Sequence, residues 1–192
     1  MIRIGITGGI GSGKSVVATI LSLSGIPVYI ADTESKWLTN HSPIIRGKLI
    51  ELFGKDIYIN DELNKQLLAS HIFQDPLLLQ KVNKIIHPEV NRHFQKWVDN
   101  QKTNICAIES AILFESGFNK YVDVSLMVYA PKEIRIERAI KRDATKRGEI
   151  ERRINNQMPD ELKRDRSDYV IYNDDKHSLI PQVENLINHL GR

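Results

Sequence analysis

The chain has 192 residues, 41% hydrophobic and 27% charged, enough for one substantial core with room for an inserted subdomain. Its 27 basic and 24 acidic side chains leave a net charge of +3, too mild to imply bulk nucleic-acid binding. The single cysteine, Cys106, excludes an internal disulfide framework and a multi-thiolate metal site and fits a reducing cytosol.

No stretch approaches the roughly 18 apolar residues of a membrane span, and the apolar opening, residues 1–6, is too short for a signal peptide. The expectation is a soluble, cytoplasmic protein, a monomer or weak homo-oligomer, without membrane or nucleic-acid partners. Ile2-Arg3-Ile4-Gly5-Ile6-Thr7 is short, β-branched and bounded by glycine, as in a buried strand. From Lys14 the pattern turns helical, with Val16, Val17, Ile20, Leu21 and Leu23 on one stripe and Gly25 as a stop. Residues 26–31 read as a second strand that ends on Asp32, with Pro27 near its start, where a missing N–H is tolerated. Strand, glycine loop, helix and strand together open a parallel α/β sheet.

Residues 33–102 differ, being helical with few strand signals. Leu63, Leu67, Leu68 and Ile72 share one face, and Leu78, Leu79, Val82, Ile85 and Ile86 share another. His87-Pro88 is expected to interrupt the second of these helices, because a residue before proline is pushed out of the α region. About seventy residues of helix between two strands exceed what a crossover needs, so the spacing predicts an inserted helical subdomain. Strands return at 105–109 and 122–129, and a charged helix is expected from 133 to about 156. A loop with Met158-Pro159, a short strand at 169–172 and an amphipathic helix over 179–190 close the chain. The predicted fold is α/β: a five-stranded doubly wound parallel sheet.

Gly8-Gly9-Ile10-Gly11-Ser12-Gly13-Lys14-Ser15 matches G-x-x-x-x-G-K-[ST] in full. Glycines let successive backbone N–H groups face an anion, and the following helix adds its positive end. Lys14 is placed to reach the β- and γ-phosphates, and the Ser15 hydroxyl to bind Mg²⁺. The dinucleotide fingerprint G-x-G-x-x-G fails, since Lys14 occupies its last position. Asn173-Asp174-Asp175-Lys176 is not the N-K-x-D guanine reader of a GTPase. Glu109 ends the third strand and is either a substitute for the Mg²⁺-holding aspartate of ATPases or a surface residue.

Asp32 falls at the carboxyl end of a strand, where ligands gather in doubly wound sheets. There a carboxylate can accept the proton of an acceptor hydroxyl or steer Mg²⁺, and it can equally cap a helix. Twelve basic residues crowd positions 132–166. Most read as a solvated, salt-bridged surface, but Arg138 and Arg142 share a helix face, where guanidinium groups on a closing lid would stabilise charge on transferring phosphoryl oxygens. Interleaved aromatic residues for base stacking are missing from the stretch. Cys106, mid-strand, reads as inert core.

In order along the chain, Thr7 through Ser15, Ala31-Asp32, Ile86-His87-Pro88, Leu113-Phe114-Glu115, Arg138 through Arg142-Asp143 and Tyr169-Val170-Ile171-Tyr172-Asn173 resemble the dephospho-coenzyme A kinase family. The resemblance implies a P-loop NTPase fold made of a nucleotide core (1–32, 103–131 and 167–192), a helical acceptor-binding subdomain (33–102) and a helical lid (132–166). It implies Mg²⁺-dependent transfer from ATP to the ribose 3′-hydroxyl of dephospho-coenzyme A, the last step of coenzyme A synthesis. Asp32, Lys14 and Arg138 take the catalytic positions. Gly8 through Val16, Arg142 and Asn173 take the ATP positions, and Thr7, Asp32, His87, Leu113 and Phe114 the acceptor positions.

Two departures are visible. The Asp-x-Asp common at the second strand of the family is Ile30-Ala31-Asp32 here, so one carboxylate remains. The proline that usually precedes Leu-Leu-Phe-Glu is Ala111, and the first leucine is Ile112. Two rival readings are another nucleoside or nucleotide kinase of this fold and a non-enzymatic nucleotide switch.

Overall fold

A computed structural model describes residues 1–73 and 75–191. In chain order the elements are β1 (Ile2–Thr7), α1 (Lys14–Leu23), β2 (Val28–Ile30), α2 (Ala31–His41), α3 (Pro43–Phe53), β3 (Tyr58–Ile59), β4 (Glu62–Leu63), α4 (Lys65–Ile72) and α5 (Pro76–Asp99). Then follow β5 (Ile105–Glu109), β6 (Val124–Tyr129), α6 (Lys132–Asp143), α7 (Arg147–Asn155), α8 (Asp160–Arg166), β7 (Tyr169–Tyr172) and α9 (Leu179–Leu190). The chain divides into two compact units: Met1–Ile30 together with Gln101 onward, and Ala31–Asn100.

The first unit holds the expected five-stranded parallel sheet, in the order β2-β5-β1-β6-β7. Strand alternation sends Ile4 and Ile6 of β1, Ala107 of β5 and Leu126 and Val128 of β6 to one face. There they meet Val17, Ala18 and Leu21 of α1 and Val183 and Leu186 of α9. Each isoleucine, valine or leucine buried this way contributes about 1.5–3 kcal/mol. On the other face Gly5 leaves space that Leu113 fills, since a Cβ there would lie 2.8 Å from the leucine side chain. The strand order puts β1 in the centre between β5 and β6; β2, the next strand in the chain, lies beyond β5, whereas β6 and β7 lie on the other side. The loop after β1 therefore opens at the topological switch point.

Three expectations for this unit need correction. The second strand is shorter than 26–31, because Ala31 already starts α2 and Asp32 lies inside that helix. The charged stretch is two helices, broken where Ala144 turns left-handed at φ 49°. A third helix, α8, stands where only a loop and strand were expected. Its sequence, DELKRDR, carries no apolar stripe for periodicity to find.

The second unit is mainly helical. Ser42, Asn64 and Asp75 cap α3, α4 and α5 by accepting backbone N–H groups, and Pro43 and Pro76 sit in the first turns, where no donor is lost. The expected break at His87-Pro88 does not occur, and α5 runs unbroken through Pro88. Proline within a helix costs about 3 kcal/mol. Val82 before it and Val90 and Phe94 after it are all buried, and together they outweigh that penalty. The unit also contains a β3–β4 hairpin that helical periodicity passed over. Asn60 and Asp61 both have positive φ, as a two-residue hairpin turn requires. Arg46 holds the turn through the carbonyl and carboxylate of Asp61, at 2.6 and 2.9 Å, with its guanidinium 4.4 Å above the Tyr58 ring.

Candidate active site

The glycine loop joins the end of β1 to the start of α1. Gly13 is the N-cap residue at φ 94°, a conformation that glycine adopts freely, and a Cβ there would strike the amide of Asn173. The first turn of α1 has no acidic side chain, so the helix presents its positive end unopposed. Ser12 N donates to the Gly9 carbonyl at 3.1 Å, closing the loop, and Lys14 Nζ reaches the same oxygen at 3.3 Å. Ser15 and Val16 are exposed in the first helical turn. Thr7 and Ser12 are fully buried, and neither hydroxyl has a partner among the described residues. Thr7 is therefore an interior side chain beneath the loop.

The C-terminal end of the edge strand β7 and the helix α6 bring further groups to the loop. Asn173, just past β7, donates its backbone N–H to the Tyr129 carbonyl at 2.8 Å and its side-chain amide to the Ser12 carbonyl at 2.8 Å. Arg138 of α6 donates to the Asn173 carbonyl at 2.9 Å and pairs with Asp175 at 2.5 Å. Loop, Asn173 and Arg138 thus form one connected set. Arg142, a turn further along, instead faces Asp143, through Nε at 2.7 Å and Nη2 at 3.1 Å. Together Arg142 and Arg153 hold the Asp143 carboxyl far below its usual range. Glu109 lies at the sheet's C-terminal edge, in register with Ile6 of β1 and Ile30 of β2.

Three groups escaped the sequence reading. Arg135 is only 3% exposed, donates Nη1 to the Ile10 carbonyl at 3.3 Å and forms an ion pair with Asp160. Burial pushes the Asp160 carboxyl above its usual range, against the pull of Arg135, Lys163 and Lys14. Arg135 was hidden in a charged helix, yet its i,i+4 spacing to the buried Ala139 puts it on the inner face of α6. The fully buried Lys163 donates to the Ala111 carbonyl at 2.6 Å and pairs with Glu115 at 2.9 Å. Glu115 also accepts from Met158 N at 2.9 Å. Phe114, half-buried, therefore stands between Leu113, locked into the core, and Glu115, tied to α8. Beside Arg135 a cavity of about 410 Å³ is bordered by Tyr129, Lys132, Gln157 and Asp160.

In the helical unit, Asp32 is exposed in the first turn of α2, which also carries Glu34, and this charge suits the helix's positive end. It is neither the last residue of a strand nor the N-cap. His87 is half-buried in α5, and burial pushes its imidazole below the ordinary value of 6.5.

A sequence profile of the dephospho-CoA kinase family matches residues 2–178. The chain belongs to that family. A dephospho-CoA kinase of Bacteroides fragilis is 49% identical over 187 residues, 97% of this chain and 91% of the relative. A crystal structure from Thermus thermophilus superposes with a TM-score of 0.84 at 32% identity, covering 98% of this chain and 95% of that one. The structure of dephospho-CoA kinase from Campylobacter jejuni, at 19% identity, shares the fold with a TM-score of 0.71, covering 98% and 96%. With dephospho-CoA kinase membership comes the enzyme class, an ATP-dependent kinase.

An ATP-dependent kinase is consistent with a bound divalent cation, a hard ion that takes oxygen donors. No cluster of three or more His, Cys, Asp or Glu side chains suited to a metal occurs among the described residues. The exposed Ser15 hydroxyl is a hard oxygen donor at the start of α1, as such ions prefer. No helix of the described residues is long and apolar enough to cross a membrane.

Proposed function

We propose that this protein transfers the γ-phosphoryl group of ATP to the ribose 3′-hydroxyl of dephospho-coenzyme A, releasing ADP and coenzyme A. One observation carries the reading: a complete phosphate loop hydrogen-bonded to Asn173 and through it to Arg138, in a chain of the dephospho-CoA kinase family.

In this reading Gly8 through Val16 bind the ATP phosphates through backbone N–H groups and the positive end of α1. Lys14 neutralises the β- and γ-phosphates. Bound Mg²⁺, held by the Ser15 hydroxyl, would add charge neutralisation there. Asn173 borders the adenine side of the site, and Arg142 serves the nucleotide from α6. The acceptor is received by the helical region 33–102, with His87 and Phe114 as contacts, while Leu113 and Thr7 shape the pocket from the interior.

Asp32 holds the 3′-hydroxyl in line and accepts its proton as the new O–P bond forms and the bond from the γ-phosphorus to the β,γ-bridging oxygen breaks. Arg138, on the lid 132–166, stabilises the charge spread over the transferring oxygens. The experiment is a coupled ADP-release assay with dephospho-coenzyme A against a panel of nucleosides and nucleoside monophosphates, with products identified by mass. The expected product is dephospho-coenzyme A plus one phosphate. Preferred turnover of a nucleoside would favour the related-kinase reading, and nucleotide binding without any phosphorylated product would favour a switch.

A further inference from the structure

Arg135 meets three consecutive residues of the phosphate loop. A Cβ on Gly9 would fall on its guanidinium, a Cβ on Gly11 would fall on its backbone, and its Nη1 donates to the Ile10 carbonyl between them. These are the peptides whose orientation decides where the loop's N–H groups point. The guanidinium is almost wholly buried and turned toward Asp160, whose carboxylate also lies close to Gly9 and within electrostatic reach of Lys14.

We propose that Arg135, anchored by Asp160, is a positioning residue that sets the shape of the phosphate loop and with it the affinity for ATP. A buried ion pair is seldom more stabilising than well-packed apolar side chains of the same size. What it adds is direction: the planar guanidinium satisfies a carboxylate and a carbonyl at once only in one orientation. The pair also shields the carboxylate of Asp160 at a place built to receive a polyanion. Gly9 and Gly11 are then glycines partly because Arg135 occupies the space beside them. The inference rests on the loop's binding of ATP and is independent of which hydroxyl receives the phosphoryl group.

The test is direct binding of ATP and, separately, of dephospho-coenzyme A to the full-length protein, with thermal melts run in parallel. Arg135→Met should weaken ATP binding by about tenfold or more, the size of one charge-assisted hydrogen bond, and leave dephospho-coenzyme A binding within about twofold. Arg135→Lys keeps the charge opposite Asp160 but loses the fork, so its ATP affinity should fall between the two. The double variant Arg135→Met/Asp160→Leu replaces the pair by apolar volume. It should regain the parent's melting temperature while ATP binding stays weakened, and it carries the test if the single variant does not fold. Recovery of ATP affinity in the double variant, or unchanged affinity in Arg135→Met despite a lower melting temperature, would overturn the proposal. A parent protein that binds no ATP would overturn the kinase reading along with it.

Discussion

At the scale of single residues, the chemistry divides between side chains that meet substrate and side chains that hold them. Asp32 is expected to act on the acceptor alone. Asp32→Asn should leave the ATP dissociation constant unchanged and lower kcat by about 10²–10⁴, the usual range for loss of a general base. Near-normal turnover would remove it from that role. Gly13 has the opposite character. Gly13→Ala must hold a left-handed conformation, at about 1–2 kcal/mol, and also displaces the Asn173 amide from the loop. Lower stability together with weaker ATP binding is the expected result, and a melt paired with a titration measures both. Lys14, Asp32 and Arg138 stand out in the sequence as candidates because motif and order mark them. Arg135 and Lys163 were not, since a buried cation looks like a surface cation until its partner, 25 residues away for Asp160 and 48 for Glu115, is brought alongside.

At the scale of elements, two helices show tertiary packing overruling local preference. In α5, Pro88 is exposed and forfeits a helical hydrogen bond, while the buried Val82, Val90 and Phe94 keep the helix continuous. Pro88→Ala restores the donor and loses no packing, so the melting temperature should rise, by roughly 2–4 °C for each kcal/mol regained in a chain of this size. An unchanged or lower value would mean that the restricted unfolded chain, rather than the helix, decides the effect of this proline. In α8, seven largely charged residues are held by what Lys163 reaches: the Ala111 carbonyl and Glu115, which in turn fixes Met158. Lys163→Ala leaves the Ala111 carbonyl without its donor and the more exposed Glu115 without its cation, and should cost about 1–3 kcal/mol in a denaturant titration. Hydrophobic period found α1, α9 and the sheet strands because each buries an apolar stripe. It did not find α8 or the β3–β4 hairpin, one anchored by a buried ion pair and the other by Arg46.

At the scale of the whole molecule, the two units are expected to respond differently to acid. His87 in the helical unit is held below its ordinary value of 6.5 by burial, so folding excludes a proton that the unfolded chain binds. Its contribution is fully present above 6.5 and is lost as pH falls below that value. In the sheet unit, Arg3 holds the Asp123 carboxyl, and Ser125 the Asp168 carboxyl, below the ordinary 3.8. The stability from those groups is present above 3.8 and is lost as pH falls through their lower folded values. Acidification should therefore weaken the helical unit first. Both tryptophans, Trp37 and Trp97, lie in that unit. Their fluorescence should change at a higher pH than the β-sheet circular dichroism, and His87→Gln should bring the two transitions together. Coincident transitions in the parent protein would contradict this order.

By itself the sequence determined the phosphate loop, the strand-loop-helix opening, the five parallel strands and the family, because these rest on local rules. Glycine spacing, β-branched runs and helical stripes act over a few residues and carry their meaning within reach of one another. Only the tertiary structure decided which cations are buried, that α5 continues through proline, and that Arg135 and Asn173 hold the loop from opposite ends of α6 and β7. Those outcomes depend on free energies of burial and pairing between residues far apart in the chain, which no local pattern encodes.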